Sequence, residues 1–270
     1  MPQPTTAGAV CCATGGYARH MNDWPADLPP TLLGVGVLIA IATVVLWAYR
    51  APHRWAPALA VLRGTVQLAV ISIVLSGVIT SGLWVGVALS VMFLVAAFTA
   101  SRRIGWSYRH LGMVVGSMVL GIGVTLTVVF TTGAIEFSAR YALAIGGIVI
   151  GNAMSIATLA GRRFTEMVGD QWEEVEGWFA LGATPRQSTV ELARRSVYSA
   201  LIPSTDQTKT TGLVTLPGAF VGAIFGGVSP LEAGRFQIVV LAAIMAAGSI
   251  TAVVLTTLLA PVRVKPVPLG

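Results

Sequence analysis

The feature that most constrains this chain is a succession of apolar stretches, each close to the length of a bilayer crossing. A transmembrane helix needs about 20 mostly apolar residues, because about 1.5 Å of rise per residue must traverse about 30 Å of hydrocarbon. Seven stretches meet or approach that length: 30–49, 57–79, 83–100, 111–131, 141–161, 211–227 and 236–260. The sixth is short, rich in glycine and interrupted by Pro217, so it reads as a broken or kinked span. Composition agrees, since only 10% of the residues are charged against roughly 25% in a soluble domain. A mean hydropathy of +0.79 leaves more apolar surface than a water-facing shell covers. A soluble enzyme and a disordered chain are therefore excluded. A disulfide scaffold is excluded too, because the two cysteines are the neighbours Cys11 and Cys12. No apolar stretch precedes that pair, so a cleaved signal or lipoprotein site is not expected. The expectation is an all-α polytopic membrane protein, with a polar amino-terminal tail over 1–29 and a membrane domain over 30–270.

The basic residues orient such a chain. On alternate sides of seven spans, one side receives Arg50, Arg54, Arg102, Arg103, Arg109, Arg162, Arg163, Arg186, Arg194, Arg195, Lys209, Arg263 and Lys265. The other receives Arg19, Arg140 and Arg235, with Arg63 inside the second span. Cytoplasmic loops carry the excess of lysine and arginine. The amino terminus is thus expected outside, the carboxyl terminus in the cytoplasm, and the chain in a cell membrane. A pI near 9.9 then reflects orientation in the bilayer rather than a nucleic-acid partner.

One connection is long. The segment 162–210 falls on the arginine-rich side and holds seven of the 11 acidic residues: Glu166, Asp170, Glu173, Glu174, Glu176, Glu191 and Asp206. Phe164, Val168, Trp172, Val175 and Phe179 recur at helical spacing, which predicts an amphipathic continuation of the fifth span. A break at 181–185 follows. Thr184, Pro185 and Gln187 have the pattern of an N-cap, a first-turn proline and the N3 partner of a capping box. A second helix is expected from there, with the stripe Val190, Ala193, Val197 and Leu201 and with Pro203 near its end. Such a hairpin suits either docking of a soluble partner or lying on the bilayer surface. Interfacial helices are usually rich in lysine and arginine, whereas the first helix here is acidic.

The run Glu176-Gly-Trp-Phe-Ala-Leu-Gly182-Ala-Thr resembles the cytoplasmic EAA-type coupling element of ABC-transporter permeases, with Gly177 and Trp178 in place of its alanines. Five further motifs occur in order with Leu181-Gly-Ala-Thr: Arg63-Gly-Thr-Val-Gln67, Gly147-Ile-Val-Ile-Gly-Asn152-Ala-Met, Ala200-Leu-Ile-Pro203, Gly212-Leu-Val-Thr-Leu-Pro217-Gly218 and Gly227-Val-Ser-Pro230-Leu-Glu-Ala. In this order, from about Leu59 onward, the chain resembles the FetB-like (YbbM-like) family of ABC-transporter permeases, linked to iron export, with plant relatives linked to aluminium tolerance. The resemblance implies a permease subunit, not an enzyme itself, that pairs with a separate cytoplasmic ABC ATPase using ATP and Mg, and that self-associates as a homodimer. It implies an ATPase-coupling role for Glu173, Glu174, Glu176, Leu181, Gly182, Ala183 and Thr184. Independently of it, no G-x-x-x-x-G-K-[ST] phosphate loop occurs, so this chain is expected to bind no nucleotide cofactor of its own.

Polar and small residues within the spans are the remaining candidates for a pathway or for packing. Arg63 and Gln67 share one face of the second span, where Arg63 either snorkels to the interface or faces the interior. Asn152, with Ser155 nearby, lies deeper in the fifth. Asp206 and Lys209 are spaced for a helical ion pair before the sixth span, and Glu232 and Gln237 approach the seventh. Gly218, Gly222 and Gly226 recur every four residues beside Pro217, as Gly147 and Gly151 do in the fifth span, a pattern of close helix packing or of a seam that opens during transport. The metal ligands of any cargo site stay unknown. His20, His53 and His110 lie outside the spans, and Met113, Met118 and Met154 are gap-fillers or soft ligands. An ATP-independent carrier or channel is the alternative. It would show inverted repeats or a line of intramembrane ionisable groups, and neither is evident.

Overall fold

The computed structural model describes residues 24–78 and 82–266. The expectations for Cys11, Cys12, Arg19 and His20 lie outside the described residues. The chain is helical and membrane-embedded. Among the described residues the helices are α1 (Trp24–Ala48), α2 (Ala56–Val78), α3 (Gly82–Ile104), α4 (Tyr108–Thr131), α5 (Ala139–Asp170), α6 (Trp172–Ala180), α7 (Val190–Thr210), α8 (Gly218–Phe225) and α9 (Pro230–Leu259). Among the described residues, five helices are long and apolar enough to cross a membrane: Pro30–Ala48, Gly82–Ile104, Tyr108–Thr131, Ala139–Asp170 and Pro230–Leu259. A shorter apolar helix covers Ala56–Ser72.

The sixth predicted span is where the structure differs. Residues 211–217 form a tight turn in which Gly212 takes φ +87°. The helix that follows, α8, has only eight residues, about 12 Å of rise. That is too short to cross about 30 Å of hydrocarbon. Glycine-rich apolar sequence met the compositional test for a span without having the length or helix propensity to be one.

The chain divides into two compact units near residue 77. In the first, α1 and α2 are joined by a turn in which Arg50 and His53 adopt left-handed backbone, with φ 56° and 57°. Arg63 and Gln67 on α2 are both exposed. In the second unit α5 and α9 are central. Helix α3 lies along α5, α4 packs on α9, and α7 packs on both α5 and α9. Serine caps start three of these helices. Ser107, Ser138 and Ser229 accept hydrogen bonds from the backbone N–H groups of Arg109, Tyr141 and Glu232, and Pro230 occupies the first turn of α9.

Lipid removes most of the hydrophobic drive between helices, so close packing of small side chains takes its place. The core accordingly contains Ala96, Ala97, Ala100, Ala153, Ala157, Ala243 and Ala247 among larger residues such as Met118 and Ile145. A Cβ on Gly161 would lie 2.6 Å from Ile104, and one on Gly146 would lie 2.8 Å from Leu89, which fixes α3 against α5. A Cβ on Gly121 would collide with Thr251 and lie 2.7 Å from the Ala247 carbonyl, which fixes α4 against α9. One on Gly248 would collide with Ile156, at the α5–α9 contact.

Candidate functional site

The predicted hairpin is built into the end of the bundle rather than standing free of it. Helix α5 has 32 residues, about 48 Å of rise, so it outruns the hydrocarbon by several turns. Its extension carries Phe164 and Val168 into a cluster with Val175 of α6, Leu192 and Ala193 of α7, and Ala260 beyond α9, with Trp172 and Phe179 packed against them. All five residues of the predicted apolar stripe are therefore in this one cluster. Two bonds tie the hairpin to the end of α9. The buried Thr189 hydroxyl donates to the Ala260 carbonyl at 2.6 Å, and an Arg186 guanidinium nitrogen lies 3.4 Å from the Thr257 carbonyl.

The tip has defined local geometry. The Ala183 N–H donates to the Trp178 carbonyl at 3.0 Å and the Gly182 N–H to the Phe179 carbonyl at 2.9 Å. Gly182 sits at φ +84°. This is a Schellman ending for α6, and the left-handed position explains why glycine follows Leu181. The capping box forms as well, with the Thr184 N–H donating to Gln187 Oε1 at 2.8 Å and the Gln187 N–H to Thr184 Oγ1 at 3.4 Å. It closes a turn, however, and α7 itself begins at Val190, once Thr189 has been drawn to the end of α9. Outward from this frame stand Leu181, 81% exposed, and Trp178, 48% exposed. Glu173 and Glu174 are exposed beside them, while Glu176 accepts the Trp172 indole N–H at 2.6 Å. Ala183 is half-buried and Thr184 exposed.

Helix α7 runs back along the bundle. Thr189 lies at Ala260, Ser196 Oγ is 3.5 Å from Met167 Sδ, and Ala200 packs with Ile156 and Ala252. The contacts step down α5 and α9 as α7 advances, so α7 is antiparallel to both. Its 21 residues give about 32 Å of rise. Beyond Pro203, which can donate no backbone hydrogen bond to the Ser199 carbonyl, comes an unbroken polar run from Ser204 to Thr211. Within it Lys209 pairs with Asp206 at 3.7 Å. The hydroxyls of Thr208, Thr210 and Thr211 donate to carbonyls one turn back.

The other candidates are scattered. Asn152 is half-buried and donates to the Ile148 carbonyl of its own helix at 2.9 Å. Pro217 caps α8. A Cβ on Gly218 or Gly222 would meet nothing within 4 Å, and one on Gly226 only the backbone of its own turn. The closest approaches belong instead to Gly121, Gly146, Gly161 and Gly248, outside the glycine repeats; of the repeat on α5, a Cβ on Gly147 would lie 3.2 Å from Met92 and one on Gly151 would meet nothing within 4 Å. Glu232 is exposed in the first turn of α9, and Gln237 is buried with an Oε1 that has no hydrogen-bond partner among the described residues. No cluster of three His, Cys, Asp or Glu side chains stands among the described residues.

Comparison with known proteins places these features in context. The model of the family described as "Uncharacterised protein family (UPF0014)" matches residues 30–262. The chain is 36% identical over 226 residues to the UPF0014 membrane protein STAR2 of Oryza sativa subsp. japonica, covering 83% of this chain and 79% of the relative. It is 32% identical over 228 residues to the protein ALUMINUM SENSITIVE 3 of Arabidopsis thaliana, covering 83% of each. It is 32% identical over 194 residues to the probable iron export permease protein FetB of Escherichia coli strain K12, covering 71% of this chain and 75% of that protein. No solved structure matches the chain.

Proposed function

Because the chain belongs to the UPF0014 family of membrane proteins, one of whose members is named a probable iron export permease, we propose that it is the membrane subunit of an ABC transporter that exports a metal ion. A separate cytoplasmic ATPase supplies the motor, and two copies of this chain complete the membrane assembly. The arginine-rich end faces the cytoplasm and the amino terminus lies outside.

The observation that carries this reading is the hairpin tip. Exposed Leu181 and Trp178, flanked by Glu173 and Glu174, sit on a turn locked by a Schellman ending and a capping box and latched to α9 by Thr189. An apolar anchor rimmed with carboxylates suits a groove with basic walls. A tip fixed to α5, α7 and α9 at once passes a push from the ATPase into three helices, where a loop on a tether would absorb it.

Helix α7 is the sixth crossing in this reading, in place of residues 211–227. The reassignment moves only Lys209 to the outer side, so the charge asymmetry survives. The polar run from Ser204 to Thr211 then lies in the outer half of the membrane. Polar groups at that depth belong beside water or a cargo path, and their oxygen atoms suit a hard cation. Movement of the hairpin shifts α7 against α5 and α9 and exposes the path alternately to the two sides.

Reconstitution of the full chain in proteoliposomes with its candidate ATPase tests the reading. ATPase activity stimulated by the chain, and ATP-dependent iron movement out of the cytoplasm-equivalent compartment, are expected. Leu181→Asp should lower the stimulation about tenfold or more, the loss of an interface hot spot. Ion movement that proceeds at full rate without the ATPase would establish a carrier or channel instead.

A further inference from the structure

A second polar feature is lined by residues of neither the hairpin tip nor α7. At the arginine-rich end of α3 and α5 the structure holds a cavity of about 440 Å³, within the roughly 300–1,000 Å³ of ligand clefts. Arg103 from α3 lines it, with Arg162 and Arg163 from α5. Below them, toward the hydrocarbon, the wall is Leu159, Thr158 and Ser155. Glu166 supplies the single carboxylate and is already held by both α5 arginines, at 3.9 Å from Arg162 and 3.2 Å from Arg163. Three guanidiniums against one carboxylate leave two positive charges. Arg103 has no acidic partner among the described residues, and its neighbour Arg102 is turned onto the Phe98 ring, 5.9 Å from the centroid.

The depth of the cavity is marked by aromatic rings. Trp106 and Tyr108, both exposed and 6.0 Å apart, follow directly on Arg103. Exposed Trp84 stands at the opposite end of α3. From Trp84 to Arg103 is 19 residues of one helix, about 28 Å of rise, which is close to the hydrocarbon thickness. Rings of this kind settle at the headgroup level. The arginines therefore lie where phosphates lie, and the wall beneath them leads into the acyl region.

We propose that this cavity binds a phosphate-bearing anion at the cytoplasmic boundary of the membrane, its guanidiniums forking onto the phosphate oxygens. Arginine's planar donors fit such oxygens bidentately. Two sources share that chemistry: the headgroup of an anionic phospholipid, whose acyl chains would follow Leu159 downward, and a free phosphate from the aqueous side. Basic pockets between membrane helices are a recurrent form of headgroup site. The proposal does not depend on the transport reading.

The test uses the full chain, purified in a neutral detergent and examined by native mass spectrometry with added phosphatidylglycerol, phosphatidylcholine or inorganic phosphate. Preferential retention of phosphatidylglycerol, unaffected by millimolar phosphate, identifies the lipid. Retention of phosphate, or its displacement of the lipid, identifies the free anion as a ligand. Either result requires that Arg103→Gln and Arg162→Gln each weaken binding about three- to tenfold, as loss of one charge-assisted contact does at a half-exposed site. Arg103→Lys should keep part of the binding. Arg109→Gln, which removes the same charge from the same end outside the cavity, should keep it all. Equal retention by the wild type and the Arg103→Gln and Arg162→Gln variants, or no preference for either phosphate-bearing anion over phosphatidylcholine, overturns the proposal. Melting midpoints of the variants separate lost binding from lost folding.

Discussion

Helices α7 and α9 lie against each other in opposite directions and are made of opposite materials. Beyond Arg235, α9 has no charged residue down to Leu259, whereas α7 carries Glu191, Arg194, Arg195, Asp206 and Lys209 in 21 residues. Both bury a face in the same bundle, α9 through Val240, Ala247 and Leu255 and α7 through Leu192, Ser196 and Ala200. In the proposed reading, in which both helices cross, hydropathy reports what a helix turns toward lipid and says little about the face it turns toward protein. A helix flanked by two others can cross a membrane with polar residues on its remaining side.

The hardest test of that comparison is the sidedness of α7. In a chain with Cys11 and Cys12 replaced by serine, Arg194→Cys and Thr208→Cys place single thiols near its two ends. An impermeant thiol reagent should label Thr208→Cys from outside only and Arg194→Cys from the cytoplasmic side only. This outcome is all or none. Labelling of both positions from one side would return α7 to the membrane surface and leave the sixth crossing without a helix.

That pair of helices also divides what was legible in the sequence from what was not. The apolar runs that became α1, α3, α4, α5 and α9 were readable because their lengths match the bilayer. The stripe from Phe164 to Phe179 and the pairing of Thr184 with Gln187 were readable because each is local chemistry, but the helix expected from Thr184 starts only at Val190. The extent of α7 was hidden, since its polarity follows from neighbours far away in sequence. Residues 211–227 misled for the converse reason: apolar and small residues satisfied composition, but Pro217 and Gly212 break the chain into a turn and a short helix. The anion-binding cavity was invisible because Arg103 and Arg162 meet only once α3 and α5 pack.

A smaller effect separates glycines that pack from glycines that merely repeat. Gly121 has no room for a side chain, because a backbone carbonyl of α9 stands 2.7 Å from the Cβ position. Gly222, within the regular series on α8, faces nothing within 4 Å. Gly121→Val should cost about 1–3 kcal/mol or more through overpacking and lower the melting midpoint in detergent by several degrees, on the order of 2–4 °C per kcal/mol. Gly222→Val should leave the midpoint nearly unchanged. Equal effects at the two sites would place a packing surface on α8 that the bundle does not otherwise use.

The smallest effect concerns the two ends of α7. Its first residues are latched, because the Thr189 hydroxyl is fully buried and reaches the Ala260 carbonyl at 2.6 Å. Near its last residues Thr208 donates only to Ser204 of its own helix. Valine preserves the shape of threonine and removes the hydroxyl, so Thr189→Val leaves the Ala260 carbonyl without that donor in a buried place. About 1 kcal/mol is expected, or about 2–4 °C of melting midpoint, together with weaker ATPase stimulation if the latch carries the push from the hairpin. Thr208→Val loses a bond that only reinforces a carbonyl one turn back and should shift the midpoint by less. A larger loss of stimulation from Thr208→Val than from Thr189→Val would move the coupling from the latched end of α7 to its polar end.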